Sequence, residues 1–130
     1  MLGHISFGVK DLARSQVFYD AIMTALGYER VFTAEHGIGY GPTGAAARED
    51  QFFLAQQSEP VTPPSKGFHL AFNAPSREAV DRFHKAALEF GGKDNGAPGL
   101  RPHYGADYYA AFVIDPDGYR LEAKHPPNRS

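Results

Sequence analysis

Gly3-His4-Ile5-Ser6-Phe7 and Phe68-His69-Leu70-Ala71-Phe72 are the two stretches that decide the fold, because they are versions of one another 65 positions apart. Both place a histidine at the start of a short alternating run. Keeping that offset, Phe18 falls on Phe83, Ala21 on Ala86 and Gly27 on Gly92. The matches are few. They fall on strand starts, apolar helix positions and a glycine after each helix, which is the signature of a repeated supersecondary unit.

Each half reads alike from there. Ile5, Phe7 and Val9 alternate with His4, Ser6 and Gly8, the pattern of a strand with one buried face. Asp11 is placed to cap a helix over 12–26 whose apolar stripe is Phe18, Ile22 and Leu26, with Gly27 just beyond its end. In the second half His69–Asn73 is the strand and Ser76 the cap. Val80, Phe83, Ala87 and Phe90 carry the helical spacing, and Gly91-Gly92 ends it. The period then returns toward two. Strands are expected at Tyr28–Thr33, Ile38–Gly41 and Gln51–Gln57. In the second half they are expected near 93–103, at Tyr108–Ile114 and at Tyr119–Lys124. Asp115-Pro116-Asp117-Gly118 is a strong turn that makes the last two strands a hairpin. The expected class is α+β, a βαβββ module repeated: module 1 over about 1–57, a proline-bearing linker over 58–66, and module 2 over about 67–125.

Bulk properties narrow the function. With 130 residues, 42% hydrophobic and 22% charged, the chain is one globular domain. A net charge of −2, without any run of Lys and Arg, argues against nucleic-acid binding. No apolar stretch reaches bilayer length. The N-terminus enters a strand pattern at once, leaving no room for a signal peptide, and the expected setting is the cytoplasm. The absence of cysteine excludes disulfides, thiolate metal sites and a cysteine nucleophile.

Strand parity brings chemistry together. If Ile5, Phe7, Leu70 and Phe72 pack beneath the helices, His4 and His69 point to the other face of the sheet. Leu121 and Ala123 take the helix side, which sends Arg120, Glu122 and Lys124 to the histidines' face. His4, His69 and Glu122 thus form a candidate site for a divalent cation such as zinc, iron(II), nickel or manganese, with positions left open for water or substrate. Each of the three alone would read as an ordinary strand residue; together, with two of them repeat-related, they read as a site.

These features resemble the vicinal oxygen chelate superfamily of glyoxalase I, fosfomycin-resistance proteins, extradiol dioxygenases and bleomycin-resistance proteins. The residues that carry the resemblance are His4-Ile5-Ser6-Phe7-Gly8-Val9-Lys10-Asp11-Leu12-Ala13-Arg14-Ser15 with Phe18-Tyr19, then Gly67–Phe72, then Asp115-Pro116-Asp117-Gly118-Tyr119-Arg120-Leu121-Glu122. It implies a U-shaped mixed sheet around a metal, with helices outside and modules paired within a chain or across a dimer. It implies His4, His69 and Glu122 as ligands, and a homodimer acting on a small oxygen-chelating substrate by lyase, isomerase or thiol-transfer chemistry. A non-catalytic drug-binding protein of the bleomycin-resistance type is the alternative.

Glyoxalase I has a fourth ligand in the last strand of its first module. Setting Phe53-Leu54-Ala55 on Arg120-Leu121-Glu122 puts Ala55 there, with Gln57 sharing its parity. Fosfomycin-resistance proteins use three ligands and carry a threonine where Ser6 stands. Arg129 is a weak candidate for substrate binding. The stretch 100–109 is the densest in polar and aromatic residues, so Arg101, His103 and Tyr104, with Ser6 and Gln57, are the substrate-binding candidates. Arg101 suits an anion clamp, and His103 or Tyr104 an acid or base. No catalytic residue is assigned. His36, His84 and His125 read as ordinary. The glycines of Gly37-Ile38-Gly39-Tyr40-Gly41 lack a following helix and so form no dinucleotide site, but suit a closely approached strand.

Overall fold

The structure is a computed structural model that describes residues 1–44 and 51–128. Arg129 and part of the 35–50 loop therefore lie outside the described residues. The elements run β1 (Ile5–Val9), α1 (Leu12–Leu26), β2 (Tyr28–Thr33), β3 (Gly37–Pro42) and β4 (Phe52–Gln56), then β5 (Leu70–Asn73), α2 (Arg77–Glu89), β6 (Lys93–Leu100), β7 (Tyr109–Ile114) and β8 (Arg120–His125). This is βαβββ twice. The strands form two four-stranded mixed sheets, ordered β1-β4-β3-β2 and β5-β8-β7-β6. The same connection recurs in each, a parallel pair closing the module and antiparallel pairs completing it.

The local reasons for these elements repeat as well. Asp11 and Ser76 each sit in extended backbone and accept the amide of the third helical residue, Arg14 and Ala79 respectively. Gly27 stops α1 in the left-handed region at φ 85°. The second helix stops one residue short of its apolar pattern. Phe90 is its C-cap, 42% exposed, because Gly91 already turns left-handed at φ 107°. Gly92 holds a different position: a methyl there would stand 2.7 Å from the Phe18 ring and 2.9 Å from each of the Ala87 and Ile114 carbonyl oxygens.

Each helix covers one face of its own sheet, and the helices pack on one another. A single core results, with Phe7, Val9, Phe18, Tyr19, Ile22 and Leu26 from the first half and Val80, Phe83, Val113 and Leu121 from the second. Burying a side chain of this size contributes roughly 1.5–3 kcal/mol. Aromatic contacts cross the boundary: Phe7 stacks on Tyr119 at 4.1 Å, and Phe52 meets Phe72 edge-on at 5.4 Å.

The Asp115–Gly118 turn does more than join β7 to β8. The Asp115 carboxylate, 3% exposed, accepts the amides of Asp117 and Tyr119, and the Tyr19 hydroxyl at 2.5 Å. Asp117 accepts the Lys10 amide, the Ser15 hydroxyl and the Arg14 guanidinium at the start of α1. The turn of module 2 is therefore bolted to the helix of module 1. Among the described residues, no helix is long and apolar enough to cross a membrane.

Candidate metal centre

Alternation delivers the side chains as their parity requires. In β8, Leu121 and Ala123 enter the core, and Glu122 faces away from α2. On β5, Ala71 stands opposite Glu122, so His69, two residues earlier, shares that face. The His69 Nε2 lies 2.8 Å from Glu122 Oε1, and the Tyr108 hydroxyl donates to Oε2 at 2.6 Å. Phe112, level with Glu122 on β7, faces the His69 ring with centroids 5.8 Å apart. The carboxylate is only 2% exposed, whereas the His69 side chain remains 43% exposed. Burial and the neighbouring Glu122 push the Tyr108 phenol above its ordinary range, so it stays protonated and donates.

The stretch singled out for its polar and aromatic density surrounds this pair. Tyr104 packs against Tyr108 at 5.3 Å and against His103 at 4.2 Å, and is itself 56% exposed. Arg101 lies over the Phe112 ring at 5.4 Å, with its guanidinium donating to the Gly99 and Ala97 carbonyls. Lys124 lies over the Tyr108 ring at 5.6 Å and donates to the Pro126 carbonyl. Tyr108 is the neighbour of Glu122 that sequence reasoning left out, whereas Lys124 was placed on the same face without a role. Lys124 had the right parity as a signal; the Tyr108 bond depends on how the 101–108 loop folds back.

His4 stands elsewhere. It is exposed and lines a groove with Ile5, Gln51, Phe52, Leu70 and Ala71. Among the described residues, no group of three or more His, Cys, Asp or Glu side chains converges within one chain. Ser6 is exposed on the same face of β1 as His4. Gln57 lies over Gly8, where any Cβ would collide with its amide oxygen, and its amide nitrogen donates to the Glu59 and Pro60 carbonyls. The other histidines are held locally, His36 by Glu35, His84 by Asp94 and His125 by the Ala74 carbonyl.

Strand register corrects one step of the sequence reading. Ser6 pairs with Phe53, while its repeat equivalent Ala71 pairs with Glu122. Phe53, not Ala55, therefore stands where Glu122 stands; Ala55 corresponds to Lys124. The Phe53 ring lies on Gly37 and 6.0 Å from Phe32, so this place is apolar in module 1. A Cβ at Gly37 would stand 2.5 Å from that ring, so this position of β3 calls for glycine.

Two donors at right angles on one octahedral divalent ion, each roughly 2.1 Å from it, stand about 3 Å apart. The 2.8 Å separation of His69 and Glu122 fits two cis ligand positions. Among the described residues of the chain, no third His, Cys, Asp or Glu side chain joins them.

Comparison with known proteins bears on the fold and the family. Residues 1–123 match the family model described as the Glyoxalase/Bleomycin resistance protein/Dioxygenase superfamily. The chain is 31% identical to the uncharacterized protein YqjT of Bacillus subtilis, covering 95% of this chain and 97% of that one. It is 32% identical to a glyoxalase/bleomycin resistance protein from Albidiferax ferrireducens, with a TM-score of 0.81 over 98% of this chain and 99% of the other. A V278E mutant of glyoxalase I from Zea mays shares 26% identity at a TM-score of 0.67, over 93% of this chain and 44% of the maize chain. From its repeated modules, its sheet order and its whole-length matches, the chain belongs to the glyoxalase/bleomycin resistance protein/dioxygenase superfamily.

Proposed function

We propose that this protein is a glyoxalase-like, divalent-metal-dependent enzyme acting on a small oxygen-chelating substrate. In this reading His69 and Glu122 of one chain hold the ion together with His4 of a second copy. The observation that carries it is the 2.8 Å pairing of His69 with a 2%-exposed Glu122. A buried carboxylate presented to a half-exposed imidazole sets two ligand-type side chains side by side at the surface of the sheet. An exposed His4 that joins no group of three ligand-type side chains among the described residues of its own chain supports a shared site in a homodimer. A divalent ion so held supplies Lewis-acid polarisation of a substrate carbonyl or epoxide oxygen. Tyr108 fixes Glu122 in one rotamer, and Phe112 and Tyr104 give the substrate an apolar surface.

Mixed dimers test both halves of the reading. A His4→Ala chain and a His69→Ala chain, each unable to complete a site alone, form one whole site when paired if ligands are shared between copies. The expected result is metal and turnover restored to about a quarter of the wild-type level in the co-expressed mixture, since about half of randomly paired dimers are mixed and each carries one whole site of two, and neither in the separate variants. No restoration excludes a shared site, and full metal occupancy in His69→Ala protein excludes the ligand set.

A second reading is a non-catalytic small-molecule binder of the bleomycin-resistance type. It is favoured by the full satisfaction of Glu122, both of whose oxygens already have protein partners. Stoichiometric ligand protection, with no turnover of methylglyoxal–glutathione hemithioacetal, fosfomycin plus thiol, or catechol, would establish it.

A further inference from the structure

We propose that the substrate carries an anionic oxygen group, carboxylate or phosphate-like, and that Arg120 anchors it with Lys124 as the second cation. This rests on the reading above for the chelating oxygens but not for the anion itself. Arg120, Glu122 and Lys124 occupy alternate positions of β8, on the face opposite the buried Leu121 and Ala123. Extending the β5–β8 register by one residue sets Arg120 level with His69, one strand spacing away. Two half-buried cations thus bracket the His69–Glu122 pair along one strand.

Neither cation neutralises that pair. Glu122 is engaged by His69 and Tyr108, and the ion pairs among the described residues are Arg14–Asp117, Arg30–Asp20, His36–Glu35, His69–Glu122 and His84–Asp94. Lys124 gives one donor to the Pro126 carbonyl and keeps two. The Arg120 guanidinium has no hydrogen bond or ion pair among the described residues, leaving its planar five-donor fork available. Arg101, the more obvious clamp by sequence, is engaged with two backbone carbonyls and braces the irregular end of β6.

The first module serves as an internal control. Register makes Gln51, Phe53 and Ala55 the counterparts of Arg120, Glu122 and Lys124. All three are uncharged. The first module builds the same strand with no charge at these places, so the fold does not require the two cations, and they remain available to a ligand. A guanidinium beside a chelating centre recognises an oxyanion bidentately and orients the neighbouring oxygens toward His69 and Glu122.

Calorimetry of the full chain with oxalate, and with its neutral counterpart oxamide, tests this, with and without saturating Mn²⁺. Wild type is expected to bind oxalate about tenfold or more tightly than Arg120→Gln, with Arg120→Lys recovering part of the loss and Lys124→Gln showing a smaller one. Oxamide is expected to bind all four alike. Mn²⁺ binding followed by electron paramagnetic resonance is expected to be unchanged in Arg120→Gln. Equal oxalate affinity in wild type and Arg120→Gln overturns the proposal, as does failure of wild type to bind oxalate at millimolar concentration. If Mn²⁺ does not bind but oxalate still discriminates Arg120→Gln, the metal reading falls and the anion anchor stands.

Discussion

Tyr108 donates its hydroxyl to Oε2 of Glu122 at 2.6 Å, and so it holds a 2%-exposed carboxylate in place from a position fourteen residues away in sequence. Removing the hydroxyl strands one oxygen of that carboxylate in a site water barely reaches. Tyr108→Phe is therefore expected to lower stability by about 1–3 kcal/mol, the usual cost of an unsatisfied buried group. Urea unfolding at neutral pH measures it; an unchanged midpoint would mean the carboxylate finds another donor.

The contact between Tyr19 and Asp115 carries a pH dependence. Burial holds the Asp115 carboxyl above its ordinary value, against the pull of Tyr19 and two backbone amides. A carboxyl raised in the folded state binds its proton more tightly there than in the unfolded chain. Its contribution is then largest below the unfolded value of 3.8 and declines as pH rises through the folded value. The stability difference between wild type and Asp115→Asn should therefore shrink from about pH 4 toward pH 7. A difference that grows with pH would show the opposite shift.

Gly92 and Gly27 separate two kinds of glycine. Gly27→Ala meets nothing within 4 Å and only the left-handed φ of 85° opposes it, at a cost of about 1–2 kcal/mol. Gly92→Ala drives a methyl against the Phe18 ring and two backbone carbonyls, each closer than 3.0 Å. Backbone does not move aside as a side chain does, so the loss is expected to exceed that of Gly27→Ala, in the range of about 2–4 kcal/mol. Thermal melts of the two variants side by side decide the order.

Phe53→Glu places a carboxylate where register puts the module-1 counterpart of Glu122. If ligands are shared between copies, the variant gains a fourth donor and should bind Zn²⁺ or Ni²⁺ at least tenfold more tightly than wild type. Competition with a chelating dye measures this. Ala55→Glu, two residues along the same strand, is expected to give no such gain.

Much of this was legible in the chain. His4 and His69, the caps Asp11 and Ser76, and the Asp115–Gly118 turn are local signals, each fixed by a few neighbouring residues, and they yield the repeated module and the strand parity. The fourth-ligand position was not legible. Choosing Phe53 over Ala55 requires the hydrogen-bond ladder between β1 and β4, and both choices satisfy alternation. Tyr108 was missed because its bond depends on a loop conformation, and the grip of Asp117 on α1 because its partners are about a hundred residues away. Whether His4 meets His69 is a matter of assembly, to which strand parity is blind.

The anchored turn has a mechanical consequence. The β7–β8 hairpin is clamped at its tip, where Asp115 and Asp117 grip Tyr19, Ser15 and Arg14, and it carries Glu122 as the third residue of its return arm, roughly 10 Å from the level of Asp115. A cantilever fixed so firmly at one end cannot slide along its own axis. Its side chains keep their distance from the first helix even as surrounding loops rearrange. Because β8 is also paired along both edges, with β5 and β7, Glu122 stands on a strand held at its tip by the first half of the molecule and along its length by the second.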